Sequence, residues 1–271
     1  MVSLTGYNVK IDLSDMSLDF QYKDTNKAVL AENLCVHFHR PKSQPTSLKE
    51  FAIQLVRGQM QVDAIKALDG VSLDINHGEV YGIIGRNGAG KSTLLKVLSR
   101  ILQPTHGRLR LWGEVTPLLG VGAGFHPDLS GRENVYLYSS LLGRTSDKTD
   151  ELFDGIVNFA ELIEYIDAPI RIYSSGMKAR LGFAVAMAER PEILLVDEAM
   201  AVGDEQFKNK CKERFEKYRI SGTTIVIVSH SMPMIKEFCT RASWLHKGKI
   251  MITGETDDVV KQYWKFIRRD K

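Results

Sequence analysis

Three short stretches of this chain carry side chains whose types and spacing do chemistry. Gly85-Arg86-Asn87-Gly88-Ala89-Gly90-Lys91-Ser92 fits G-x-x-x-x-G-K-S/T, with Gly85 and Gly90 as the fixed glycines. Glycines let the backbone curl until several N–H groups point inward at phosphate oxygens. The same loop contributes Asn87, Gly88 and Ala89 to that cradle, and Thr93 follows it. A helix beginning at its end adds the positive end of its dipole. Lys91 carries a mobile charge to the β- and γ-phosphates of a triphosphate, and Ser92 offers a hydroxyl to Mg²⁺. Later, Ile193-Leu-Leu-Val-Asp197-Glu198 is an apolar run ending in two acids. A buried strand of that kind delivers both carboxylates to the carboxyl edge of a sheet, where open α/β sheets bind ligands. Asp197 then faces the metal and Glu198 polarises water. Between the two lies Tyr173-Ser174-Ser175-Gly176-Met177-Lys-Ala-Arg180-Leu. These small residues run into a helix with no acid in its first turn, which makes a second anion pocket of backbone N–H groups and a serine hydroxyl.

The elements that must position these groups follow from pattern. Val29–Val36, Val71–Ile75 and Glu79–Ile84 read as strands, the last leading into the glycine loop and a helix over Ser92–Leu102. Leu48, Phe51, Ala52, Leu55 and Val56 follow helical spacing ahead of the loop, and so short a helix must dock its apolar face on something. Helical patterns occupy Glu133–Leu142, Thr149–Ile166 and Met177–Glu189. Ile193–Val196 and Thr224–Ser229 are continuous apolar runs, as in a parallel sheet covered on both faces. Ala242–His246 and Lys249–Thr253 flank Lys247-Gly248 as a hairpin, and a last helix starts near Thr256. The expected class is α/β, an interrupted parallel-sheet core with an all-helical insert.

Composition narrows the function. A net charge of +3 is too small for the dense basic face expected of a nucleic-acid binder. No run approaches the ~18 apolar residues of a membrane helix, and no export signal is read at the N-terminus. A membrane role therefore requires another chain. Cys35, Cys211 and Cys239 are odd in number and form no CxxC pair, so neither a zinc site nor a disulfide framework is suggested, and a reducing cytoplasm fits.

In order, a phosphate loop, a helical insert, a Ser-Gly helix start and a strand ending in Asp-Glu resemble the ATP-binding subunits of ATP-binding cassette (ABC) transporters, over residues 62 to 255. Ser174 and Gly176 match that family's Leu-Ser-Gly-Gly-Gln signature; Tyr173, Ser175 and Met177 depart from it. The resemblance implies a P-loop ATPase fold in one domain, 1–271. Its parts are an N-terminal strand and extra helix over 28–66, a core over 67–129 and 191–255, a helical subdomain over 130–190 and a C-terminal helix over 256–271. It implies ATP and Mg²⁺ as cofactors, with Ser92 and Asp197 on the metal and Glu198 as catalytic base. It also implies a head-to-tail homodimer in which Ser174 and Gly176 reach the γ-phosphate held by the other copy. His230, after Thr223-Thr-Ile-Val-Ile-Val-Ser229, falls at the histidine that touches the γ-phosphate, and Asp204 at the aspartate of the loop crossing the dimer interface.

The family's glutamine before the helical insert has no counterpart; His126 is read either as its stand-in or as a surface residue. For the aromatic that stacks on adenine, Phe38 is the nearest candidate, with Ile65 and Lys66 in the position otherwise expected. The stretches Gly122–Asn134, Tyr173–Ala186 and Asp197–Phe207 are similar to the bacterial polysaccharide exporters of O-antigen, capsule and teichoic acid, in which the helix at Leu48–Val56 resembles an extra gate helix. That branch implies two membrane-spanning permease subunits as partners, a lipid-linked polymer as indirect cargo, no nucleic acid, and a place on the cytoplasmic face of the inner membrane. A further glycan-binding β-sandwich is not expected after Lys271, and the basic residues Lys265, Arg268, Arg269 and Lys271 read as a solvated tail.

Overall fold

A computed structural model describes residues 26–41, 62–118, 120, 122, 124–197 and 204–269. The expected helix at Leu48–Val56 and the expected base Glu198 lie outside the described residues.

The described residues form two sheets. The first is antiparallel, with order β2-β1-β4, built from β1 (Lys27–Pro41), β2 (Val62–Asn76) and β4 (His106–Leu111). The second has order β5-β6-β7-β3-β8-β9. Its members are β3 (Val80–Ile84), β5 (Val115–Leu118), β6 (Ile193–Asp197), β7 (Thr224–Val228), β8 (Arg241–His246) and β9 (Lys249–Glu255). All pairings in it are parallel except the β8–β9 hairpin.

The continuous apolar runs at its centre have a direct physical reason. Strand side chains alternate between faces, and here both faces are covered. On one side Val80, Ile84, Leu194, Val196, Ile225 and Ile227 join a core shared with the helices. On the other, Tyr81, Ile83, Ile193, Leu195, Val226 and Val228 join a second core with β1, β2 and the helix α1 (Lys91–Leu98).

The helical insert comprises α2 (Gly131–Leu141), α3 (Ser146–Ala160), a 3₁₀ turn at Ile170–Ile172 and α4 (Ser175–Ala186). After the sheet resumes come α5 (Glu205–Ile220), α6 (Met232–Phe238) and α7 (Thr256–Arg269). Ser130 and Glu133 form a reciprocal capping box at the start of α2. Three helices stop earlier than their periodicity predicts, α4 among them, which ends at Ala186 rather than Glu189. Helix α1 ends at Leu98, two residues before Arg100 turns left-handed (φ 59°). Helix α3 ends at Ala160 because Glu161 takes the left-handed conformation (φ 59°) and closes it. The expected hairpin and C-terminal helix stand where predicted; β4, β5, α5 and α6 are additions that the pattern reading did not name.

Candidate functional site

The site is built at the carboxyl edge of the parallel sheet. All five residues of β3 are buried, and the chain leaves that strand directly into the loop of residues 85–90. At Gly85 a Cβ would lie 2.3 Å from the Leu245 carbonyl oxygen, so β8 leaves room only for glycine. Gly90 takes φ 107°, and a Cβ there would lie 2.5 Å from the Ala67 carbonyl oxygen of β2. The loop is held from below by the β8–β9 turn: the Gly248 amide donates to the Ala89 carbonyl at 2.8 Å, and the Asp69 amide donates to the Gly248 carbonyl at 2.8 Å.

Lys91 is buried, and its Nζ donates to the carbonyls of Gly85 (2.8 Å) and Arg86 (3.2 Å). Those bonds hold the ammonium against the inner wall of the loop. Helix α1 has no acidic residue in its first turn, and no side chain caps its start at Gly90. Its first N–H groups and its dipole are therefore suited to an anion.

A cavity of about 670 Å³ opens over this loop, lined by Asn87, Gly88, Gly90, Lys91, Ser92, Thr93 and Asp197, with Ile65, Lys66, Ala67 and Gly120 completing it. Asp197 reaches it because β6 pairs in parallel register with β7, Asp197 against Val228, while Val228 pairs with Ile83 of β3. Three adjacent strand ends thus bring the glycine loop, Asp197 and the segment after β7 to one edge. His230 is exposed on that edge. It follows the buried Ser229, whose amide donates to the Ile83 carbonyl (3.3 Å) and whose Oγ accepts from the Ser231 amide (3.0 Å).

Ser174 and Gly176 sit elsewhere. Ser174 caps α4, its Oγ accepting from the Met177 amide at 3.2 Å, and the first turn of α4 carries no acid. Ser174 and Ser175 are exposed, and among the described residues lining the cavity none comes from α4. The nearest atom to a Cβ at Gly176 would be Ser174 Oγ, at 3.8 Å, so packing within the protomer does not demand glycine there.

Asp204 is committed to its own protomer. One carboxylate oxygen accepts from the Phe207 amide at 2.9 Å, capping α5, and the other is ion-paired with Arg180. The Phe207 amide, and then the Arg180 charge, hold this carboxyl below its ordinary value. Arg180 also pairs with Glu161 at 2.8 Å and lies over the Phe207 ring, fastening the start of α4 to the start of α5. Sequence reasoning did not single out Arg180; its position six residues after Ser174, in the helix that Ser174 caps, was the available signal.

His126 does not line the cavity. Its Nδ1 accepts from the Asp128 amide (3.4 Å), its own amide donates to Asn134 Oδ1 (2.7 Å), and among the described residues of that interval Gly120 reaches the cavity. Asn134 was also not foreseen. It is fully buried, and its Nδ2 donates to the carbonyls of His126 (3.1 Å), Leu129 (3.1 Å) and Ser130 (2.8 Å). One side chain thereby fixes the turn that leads into the helical insert. At the cavity's other end, Ile65 lines the wall, while Phe38 is its cross-strand partner on β1; both are about half exposed, at 49% and 45%.

Comparison with known proteins settles the family. Residues 68–201 match the ABC transporter family model. The O-antigen export system ATP-binding protein RfbB of Klebsiella pneumoniae is 40% identical over 212 residues, covering 78% of this chain and 85% of that protein. This chain belongs to the ABC transporter ATP-binding family. Two other members are longer. RfbB of Myxococcus xanthus is 42% identical over 225 residues, 82% of this chain and 52% of that protein. The teichoic acids export ATP-binding protein TagH of Enterococcus faecalis is 43% identical over 211 residues, 78% of this chain and 47% of that protein. The chain thus spans about half the length of these two. Among solved structures, the dimeric ATP-binding cassette MJ0796 bound to ADP and Pi superposes with a TM-score of 0.65 at 21% identity, covering 84% of this chain and 98% of the other. That likeness fixes the fold, and the nucleotide cassette of the ABC family is what the cavity over residues 85–93 belongs to.

Proposed function

We propose that this chain is the ATP-hydrolysing subunit of an ABC exporter that moves a lipid-linked polysaccharide of the O-antigen or teichoic acid kind across the cytoplasmic membrane. Two copies act head to tail and bind two ATP molecules between them, at the cytoplasmic face, against two permease subunits. The supporting observation is the division of the site. The loop of residues 85–93 and Asp197 line one cavity, while the anion-ready start of α4 lies outside it with Ser174 and Ser175 exposed.

In this reading the loop amides and Lys91 hold the β- and γ-phosphates of one ATP. Ser92 and Asp197 hold Mg²⁺, whose charge offsets that of the phosphates. The Ser174 hydroxyl and the amide of Gly176 from the second copy cover the γ-phosphate, closing the dimer. Glu198 takes the proton of the attacking water and His230 steadies the γ-phosphate. Asp204, locked to Arg180, keeps α4 and the interface loop moving as one unit. Loss of the γ-phosphate removes the contacts that join the two copies and the dimer opens. Ile65, with Phe38 beside it, offers the base a largely aliphatic platform.

The test is genetic and biochemical. Deleting the gene should abolish surface polysaccharide, and wild type should restore it, while Glu198→Gln should restore neither export nor ATPase activity. Normal surface polysaccharide in the deletion strain would remove the export assignment.

A further inference from the structure

A cluster with metal-ligand chemistry lies outside the nucleotide cavity, on the outer face of the three-stranded sheet. Cys35 and His37 are two apart on β1 and so project from one face, opposite Leu34 and Val36, which are buried in the core. Asp69 of β2 joins them. The Cys35 Sγ, a His37 ring nitrogen and an Asp69 carboxylate oxygen all lie within 4.8 Å of one another. His106, the first residue of β4, is the cross-strand partner of Cys35, and its ring centroid is 6.2 Å from that of His37.

Two independent observations point to a ligand here. His37 Nε2 is buried and has no hydrogen-bond partner among the described residues. A buried nitrogen left unpaired is costly, and coordination is one way to satisfy it. Second, the three cysteines differ. Cys211 and Cys239 are buried, and burial pushes both thiols up to about 12, so they stay protonated. Cys35 is only partly buried, and among the described residues its Sγ makes a single 3.6 Å contact, with the Asn33 carbonyl, so its sulfur lies open to an ion on the outer face of the sheet.

We propose that Cys35, His37 and Asp69, with His106 turning in as a fourth ligand, form a binding site for a divalent cation of the zinc class. One thiolate, two imidazoles and one carboxylate are a donor set that suits a borderline-soft ion in tetrahedral geometry. Donors at ~2.0–2.3 Å from such an ion are roughly 3.3–3.5 Å apart, so the cluster closes by about 1 Å through side-chain rotation. Asp69 is also paired with Lys249 (3.2 Å) and Lys66 (3.4 Å), whose side chains are 60% and 56% exposed. The two lysines hold the carboxylate ionised, and both can swing into solvent as the ion enters. Their charge nevertheless opposes a dication, so removing one tightens the site. Because the Asp69 amide is bonded to Gly248, a bound ion would staple β1, β2 and β4 beside the turn that holds the phosphate loop. The linear order hides this set, since its members come from three strands.

The test is a Co²⁺ titration of the chelator-treated, nucleotide-free full chain, followed by displacement with Zn²⁺. Expected are about one Co²⁺ per chain, tetrahedral ligand-field bands and a thiolate-to-cobalt charge-transfer band. Cys35→Ser should remove the charge-transfer band. His37→Gln and the exposed-site variant His106→Gln should each weaken binding by at least about tenfold, and Lys249→Ala should strengthen it. Zn²⁺ should raise the melting temperature of wild type and not of Cys35→Ser, with ATP binding serving to verify that each variant is folded. Should Cys35→Ser fail that check, His106→Gln and Lys249→Ala carry the test. Absence of a thiolate band, a band that survives Cys35→Ser, or equal affinity in wild type, His106→Gln and Lys249→Ala would overturn the site.

Discussion

The amide of Gly248 donates to the carbonyl of Ala89 at 2.8 Å, and this bond joins the tip of the β8–β9 hairpin to the phosphate loop. Gly248 has φ 76°, and a Cβ on it would lie 2.9 Å from the Ala67 carbonyl oxygen of β2. The turn can therefore support the loop only with a residue that tolerates the left-handed region and has no side chain. Gly248→Ala should cost about 1–2 kcal/mol of stability and weaken ATP binding, although residue 248 does not line the cavity. Denaturant unfolding and a nucleotide titration check both. An unchanged ATP affinity would show that the hairpin does not shape the loop.

Lys91 is expected to act on phosphate and on the loop together. Lys91→Ala should lower ATPase activity by at least ~10²–10³-fold, the usual effect of removing a charge-stabilising donor. It should also alter the stability of the nucleotide-free chain, because the carbonyls of Gly85 and Arg86 lose their shared donor. Steady-state ATPase assays and thermal melts without nucleotide measure the two effects separately.

Tyr173 departs from the leucine of the family signature, and the structure gives the reason. Its ring is buried, and its hydroxyl donates to the Tyr165 carbonyl at 2.5 Å, tying the approach to α4 back to the end of the α3 region. Burial holds that hydroxyl protonated, its pKa pushed up to about 12. Tyr173→Phe should cost about 1 kcal/mol, measurable by denaturant unfolding. Because the ring is retained, nucleotide affinity should be unchanged.

The Glu161–Arg180–Asp204 network sets an acid limit on stability. Lys210 first, and Arg180 with it, lowers the Glu161 carboxyl; the Phe207 amide first, then Arg180, lowers that of Asp204. A carboxyl lowered by folding stabilises the native state above its unfolded value and loses that contribution as pH falls through its folded value. The contribution is therefore complete above the ordinary Glu and Asp values of 4.5 and 3.8 and fades below them. Melting temperatures from pH 7 downward should fall more steeply for wild type than for Arg180→Ala in that acid range. Parallel curves would contradict the coupling.

What could be read from the chain beforehand depended on locality. The phosphate loop was legible because eight consecutive residues define it, and β3, β6 and β7 because burial on two faces leaves each strand apolar throughout. Strand β4 was not legible: it lies at the edge of its sheet, and its residues are exposed or half-buried, so no core pattern marks it. Strand β5 is an edge too, four residues long and containing Pro117. Helix α5 hides its buried stripe of Phe207, Cys211, Phe215 and Tyr218 among charged residues. The links between Arg180 and Asp204, between Gly248 and Ala89, and among Cys35, His37, Asp69 and His106 join residues distant in sequence, and only the assembled fold brings them together.

In the proposed cycle, nucleotide is clamped between the phosphate loop of one copy and the Ser174 helix start of another. Sedimentation of the Glu198→Gln chain in saturating ATP with Mg²⁺, compared with ADP, tests it most directly. A dimer is expected with ATP, a monomer with ADP, and a monomer in both when Ser174→Arg is added. A Glu198→Gln chain that stays monomeric in ATP, or that dimerises equally well with Ser174→Arg, would contradict it.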